Sequence, residues 1–91
     1  MHYKTKVIHY IYMENPREYT VDQKRRVIAD WNNIAGEDGE VIFGDGYITY
    51  LGSEVATLRL FKAYSKQIDS ISQGWSINLN RYYFTLESKV L

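Results

Sequence analysis

The residues able to do chemistry in this 91-residue chain are few and badly placed for it. His2 and His9 lie on a segment that reads as extended, and their odd spacing sends them to opposite faces, so they cannot share a metal ion. Glu37, Asp38 and Glu40 gather three carboxylates, but in a short polar connection with no apolar pocket to separate their proton affinities, which makes a solvated turn the expectation. No glycine-rich phosphate loop precedes a helix, and no Ser-His-Asp set is suggested. The sequence therefore points to no catalytic residue, no metal site and no cofactor, and the expectation is a protein that is not an enzyme. What stands out is aromatic: 9 Tyr, 3 Phe and 2 Trp bring the rings to 15% of the chain, a bias that suits both a β-sheet and a contact surface. The candidate contacts are Tyr10, Tyr12 and Tyr47, with Asn78 or Asn80 as polar readers and Arg17 beside the Lys24-Arg25-Arg26 run as a meeting point for phosphates.

Bulk properties narrow the partner classes. A chain of 91 residues, 45% hydrophobic and 24% charged, has the composition of one small globular domain spanning residues 1–91. Eleven basic residues balance eleven acidic ones, so no global field holds a polyanion or an anionic membrane, and neutrality disfavours a DNA mimic. Cysteine is absent, which excludes disulfides and thiolate metal sites. The amino terminus shows no apolar signal-like run, and no stretch of about 18 apolar residues occurs, so a cytoplasmic protein without a membrane span is expected.

Six elements must position the candidate residues. Residues 4–13 alternate as a first strand, ended by Pro16. Thr20 and Gln23 form a capping-box pattern, and Val21, Val27, Ile28, Trp31, Ile34 and Ala35 share one helical arc up to Gly36, predicting a helix over 21–35. A brief strand over 40–43, a Gly44-Asp45-Gly46 turn with positive φ angles, and a strand over 47–51 follow. Residues 54–64 can be drawn as a strand, but Ala56, Leu60, Phe61, Ala63, Tyr64, Ile68 and Ile71 cluster on one helical arc, with Ser53 as N-cap and Gly74 as stop, which favours a second helix. Trp75, Ile77 and Leu79 alternate with Ser76, Asn78 and Asn80 as a fourth strand. The phase slips after Arg81, marking either a turn into a fifth strand or a bulge. Trp31 and Trp75 are both expected in the core. The resulting fold class is α+β, a ferredoxin-like βαββαβ order with an antiparallel sheet, two helices on one face and the other face open.

On this order the chain resembles the RNA recognition motif. Ile11-Tyr12-Met13-Glu14-Asn15 is similar to the signature of that family's first strand, with Pro16 in place of leucine, and Gly44-Asp45-Gly46-Tyr47-Ile48-Thr49-Tyr50 is similar to that of its third strand. Ala56 and Leu60 match apolar positions of the family's second helix, so the likeness runs loosely over residues 10–80. It implies a sheet face that stacks single-stranded RNA on Tyr12 and Tyr47. Phe43 stands where the family has a phosphate-contacting cation and Asp45 where it has a third stacking ring, which implies weakened binding, since each stacked base contributes about 1–3 kcal/mol.

A protein-binding module is the alternative. A compact, neutral, tyrosine-rich chain also fits the small inhibitors that phages and mobile elements direct at host defences, anti-CRISPR proteins included, because Tyr and Trp are the usual interface anchors. Self-association into a homodimer, through an edge strand or the Tyr82 to Phe84 segment, is a third expectation.

Overall fold

The computed structural model describes residues 19–66 and 70–87, so the first predicted strand, with Tyr10, Tyr12 and Arg17, lies outside the described residues. Helix α1 spans Val21–Ala35. Its N-terminus is closed reciprocally: the Gln23 N–H donates to Thr20 Oγ1 at 3.1 Å and the Thr20 N–H to Gln23 Oε1 at 2.8 Å. Its buried stripe is narrower than the arc read from sequence. Gln23, Val27, Trp31 and Ala35, four residues apart, face inward, while Val21 and Ile28 are exposed. Lys24 is exposed at the edge of this stripe, with its ammonium 5.8 Å above the Phe43 ring.

Strands β1 (Glu40–Gly44) and β2 (Tyr47–Gly52) form a hairpin closed by the Gly44–Tyr47 pair. Of the two glycines in this turn only Gly46 has a positive φ, at 87°. At Gly44 the Tyr47 ring lies across the bare Cα, and a Cβ there, 2.0 Å from Tyr47 Cζ, would displace this partly exposed ring. Ser53 then caps helix α2, Glu54–Tyr64, by accepting from the Ala56 N–H at 3.1 Å. The helical reading of 54–64 holds, but the helix stops ten residues before Gly74, which sits inside a strand.

The predicted strand over 75–80 is the main correction. Strand β3 spans Ile71–Ser76, residues 77–80 turn, and strand β4 runs back over Arg81–Glu87. The phase slip after Arg81 is thus the exit of a four-residue turn. Asn80 takes a left-handed φ of 56° there, a conformation asparagine tolerates. The described elements run αββαββ, with two strands after the second helix, so the α+β class holds while the ferredoxin-like order is not reproduced exactly. All pairings are antiparallel and the strand order is β1-β2-β4-β3.

Both helices cover one face of the sheet. The register pairs Tyr50 with Phe84 and Ile48 with Leu86, and these four side chains form one core with Val27, Trp31 and Ala35 of α1 and Ala56, Leu60 and Tyr64 of α2. Trp31 meets Phe84 edge-on, with ring centroids 5.3 Å apart, and Tyr64 stacks beside Phe84 at 6.1 Å. Period-two alternation puts Ile42, Tyr47, Thr49, Leu51, Arg81, Tyr83 and Thr85 on the opposite face, where no described helix lies. No described helix is long and apolar enough to cross a membrane.

Candidate binding surface at the hairpin end of the sheet

The turn between β3 and β4 is built locally and held firmly. Ser76 contributes twice: its Oγ accepts from the Leu79 N–H at 3.2 Å and its carbonyl from the Asn80 N–H at 2.8 Å. These two bonds and the left-handed Asn80 close the loop, and its apolar side chains are left without cover. Ile77 is 85% exposed and Leu79 53%. Just behind them Trp75 is 49% exposed, against the expectation that it belongs to the core, and its indole meets Tyr82 edge-on at 5.0 Å. Four large apolar or aromatic residues therefore stand together at one end of the sheet.

Arg81 braces that end from the other face. Its Nη1 donates to Glu40 Oε1 at 2.9 Å and its Nη2 to the Leu51 carbonyl at 3.1 Å, tying β4 to β2 and β1. Both ends of the ion pair are partly solvated, so it orients the hairpin more than it stabilises the fold. Among the described residues, the charged groups of this face are Glu40, Glu87 and Arg81, with a Thr49–Thr85 hydroxyl contact of 2.9 Å at its centre, so they carry no excess of positive charge.

The structure does not bring the sequence candidates together. Tyr47 lies on the open face, 40% exposed, with its ring over Gly44. Asn78 and Asn80 are exposed, but in the turn rather than on the sheet, and at the end of β4 opposite to the one that pairs with Tyr47. They cannot read a ligand stacked on that ring, and their side chains flank Ile77 and Leu79 instead. Along α1, Asp22, Arg25, Arg26 and Ala29 line an open depression of about 350 Å³. Arg25 is 3.5 Å from Asp22 there, so the basic run carries its own counter-charge. Among the described residues no group of three or more His, Asp or Glu side chains could hold a metal ion.

No known protein family, curated protein or solved structure matches this chain. The site must be judged on its own chemistry. Its apolar residues went unrecognised in the sequence because Trp75, Ile77 and Leu79 sit at the spacing of a buried strand face. The signal that could have placed them outside was the interleaved Ser76, Asn78 and Asn80, a cluster of turn formers.

Proposed function

We propose that this chain is a non-catalytic module that binds another protein through the β3–β4 hairpin end. The observation that carries the reading is the exposure of Ile77 and Leu79, on a loop whose backbone is already tied down, and of Trp75 on the strand that leads into it. Exposed apolar side chains on a rigid support lose little conformational freedom on docking, which is the economy that interface anchors depend on. Trp75 held against Tyr82 supplies a large aromatic surface, and Asn78 and Asn80 supply a neutral polar rim. The complementary surface is an apolar cleft on a folded protein. The small inhibitor reading belongs to this class. Single-stranded RNA is supported less well, because phosphates would meet two carboxylates and one already paired arginine on the open face.

The test compares the wild-type chain with Ile77→Ser/Leu79→Ser and with Tyr47→Ala in binding assays. A protein recovered with the wild type, purified, and bound directly should lose affinity at least about 30-fold with the hairpin variant, since two anchors contribute about 1–2 kcal/mol each or more. Tyr47→Ala should bind it normally. The proposal fails if the hairpin variant keeps its partner, or if random single-stranded RNA binds the wild type and Tyr47→Ala abolishes that binding.

A further inference from the structure

Strand β3 closes one edge of the sheet, and the polarity of its backbone can be read from a single bond. The Glu87 N–H donates to the Ser70 carbonyl at 2.8 Å, so residues 70 and 87 are a hydrogen-bonded pair. Such pairs alternate along an antiparallel ladder, which makes 72/85, 74/83 and 76/81 the bonded pairs and turns the N–H and C=O groups of Ile71, Gln73 and Trp75 away from β4. Among the described residues no strand lies beyond them.

We propose that the partner of this edge is a second copy of the chain, joined β3 to β3 about a two-fold axis at Gln73. The outward groups at 71, 73 and 75 are symmetric about residue 73. Antiparallel pairing with a copy of itself therefore sets Ile71 opposite the partner's Trp75 and Gln73 opposite the partner's Gln73, with about six backbone hydrogen bonds formed and no outward group facing an inward one. Side chains agree with this register. On the helix side Trp75 gains a β-branched neighbour, a favoured cross-strand pair that covers part of its exposed ring. On the other side Ser72 meets the partner's Gly74, and both are small enough to pass.

Charge supports a self-partner as well. Strand β3, Ile-Ser-Gln-Gly-Trp-Ser, carries no Lys, Arg, Asp, Glu or Pro, so pairing with itself sets no like charges opposite one another and meets none of the devices that keep edges apart. The other edge contrasts with it: β1 bears Glu40, ion-paired to Arg81, and has Lys24 over Phe43. Of the two edges among the described strands, β3 is the neutral one. This interface uses the outer edge at residues 71–75 and shares Trp75 with the protein-binding reading, whose anchors Ile77 and Leu79 lie outside it, so the hairpin variant tests the one and the paired lysines the other.

Light scattering after size exclusion should return twice the 10.7 kDa chain mass for the wild type at high micromolar concentration. Ser72→Lys/Gly74→Lys, which sets lysines opposite each other across the axis, should raise the dimer dissociation constant about tenfold or more, with recovery in high salt. Hydrogen exchange on the wild type decides the matter if that variant does not fold: the Ile71, Gln73 and Trp75 amides should gain protection as concentration rises. The Ile77→Ser/Leu79→Ser chain should still dimerise. A monomer at all concentrations, protection of these amides that ignores concentration, a dimer indifferent to the paired lysines, or a dimer lost only with the hairpin variant would each overturn the proposal.

Discussion

Gly39 and Tyr50 offer the sharpest test of how the helix layer is joined to the sheet. The Tyr50 ring is buried, donates its hydroxyl to the Gly36 carbonyl at 3.3 Å, and lies across the bare Cα of Gly39. A Cβ at position 39 would stand 2.1 Å from Cζ, 2.2 Å from Oη and 2.6 Å from Cε2 of that ring. Carbon atoms rest about 3.5–4.0 Å apart, so Gly39→Ala must push the ring back by about 1.5 Å. The ring lies close to a second bare Cα as well, since a Cβ built on Gly52 would be 2.8 Å from Cε2. Overpacking of this kind costs about 1–3 kcal/mol, and loss of the hydroxyl bond about 1 kcal/mol more. Gly39→Ala should therefore destabilise by about 3 kcal/mol and lower the melting temperature by roughly 15 °C for a domain of this size.

A double-mutant cycle separates this collision from any need for glycine as such. Leucine at position 50 ends short of Cζ and Oη, so Tyr50→Leu, itself destabilising by about 2 kcal/mol, removes the obstacle. Adding Gly39→Ala to Tyr50→Leu should then cost nothing, or stabilise by about 0.5 kcal/mol through a less flexible unfolded chain. Denaturant titrations of the four proteins give the interaction energy, expected at about 3 kcal/mol. Additive effects, within about 0.5 kcal/mol, would refute the claim that this ring is what excludes a side chain at Gly39.

Two further predictions concern the helix start and alkaline pH. Thr20→Ala removes one half of the capping box and should cost about 1 kcal/mol in a denaturant melt, with Thr20→Ser restoring most of it. Burial pushes the Tyr50 phenol above its ordinary value of 10.0, and the Tyr19 phenol likewise, so the folded chain holds these protons at a pH where the unfolded chain releases them. Stability should be unaffected by either group below pH 10 and should fall as pH climbs past it. The fall should be shallower in Tyr50→Phe when unfolding midpoints are compared on the two sides of that value.

Helices and hairpins with local signatures were legible in the chain. The Thr20–Gln23 reciprocity and Ser53 mark both helix starts in side-chain chemistry, and Gly46 marks a turn by φ alone. What stayed hidden depended on neighbours distant in sequence. Trp75, Ile77 and Leu79 alternate as perfectly in a hairpin flank and its turn as they would in a buried strand, and only the pairing of Ser76 with Arg81 settles which. The same holds for Leu51, buried on the face opposite the helices, and for Gln23, which occupies the inward stripe of α1 although its polarity argues otherwise. Of the candidate site, the face that Tyr47 takes follows from the β1–β2 and β2–β4 register, which the sequence does not fix, and Asn78 and Asn80, which alternate like strand residues, lie in a loop.

The position of β4 bears on how the molecule is born. Residues 81–87 are the last of the described strands to leave the ribosome, yet they lie between β2 and β3 and bring Phe84 and Leu86 to the centre of the core. Until they emerge, among the described strands β2 has one neighbour and β3 has none, and Trp31 and Tyr64 have no Phe84 to pack on. Folding of this domain therefore awaits residues 81–87, and a chain halted at residue 80 holds two helices around a centre that Phe84 and Leu86 have not yet filled.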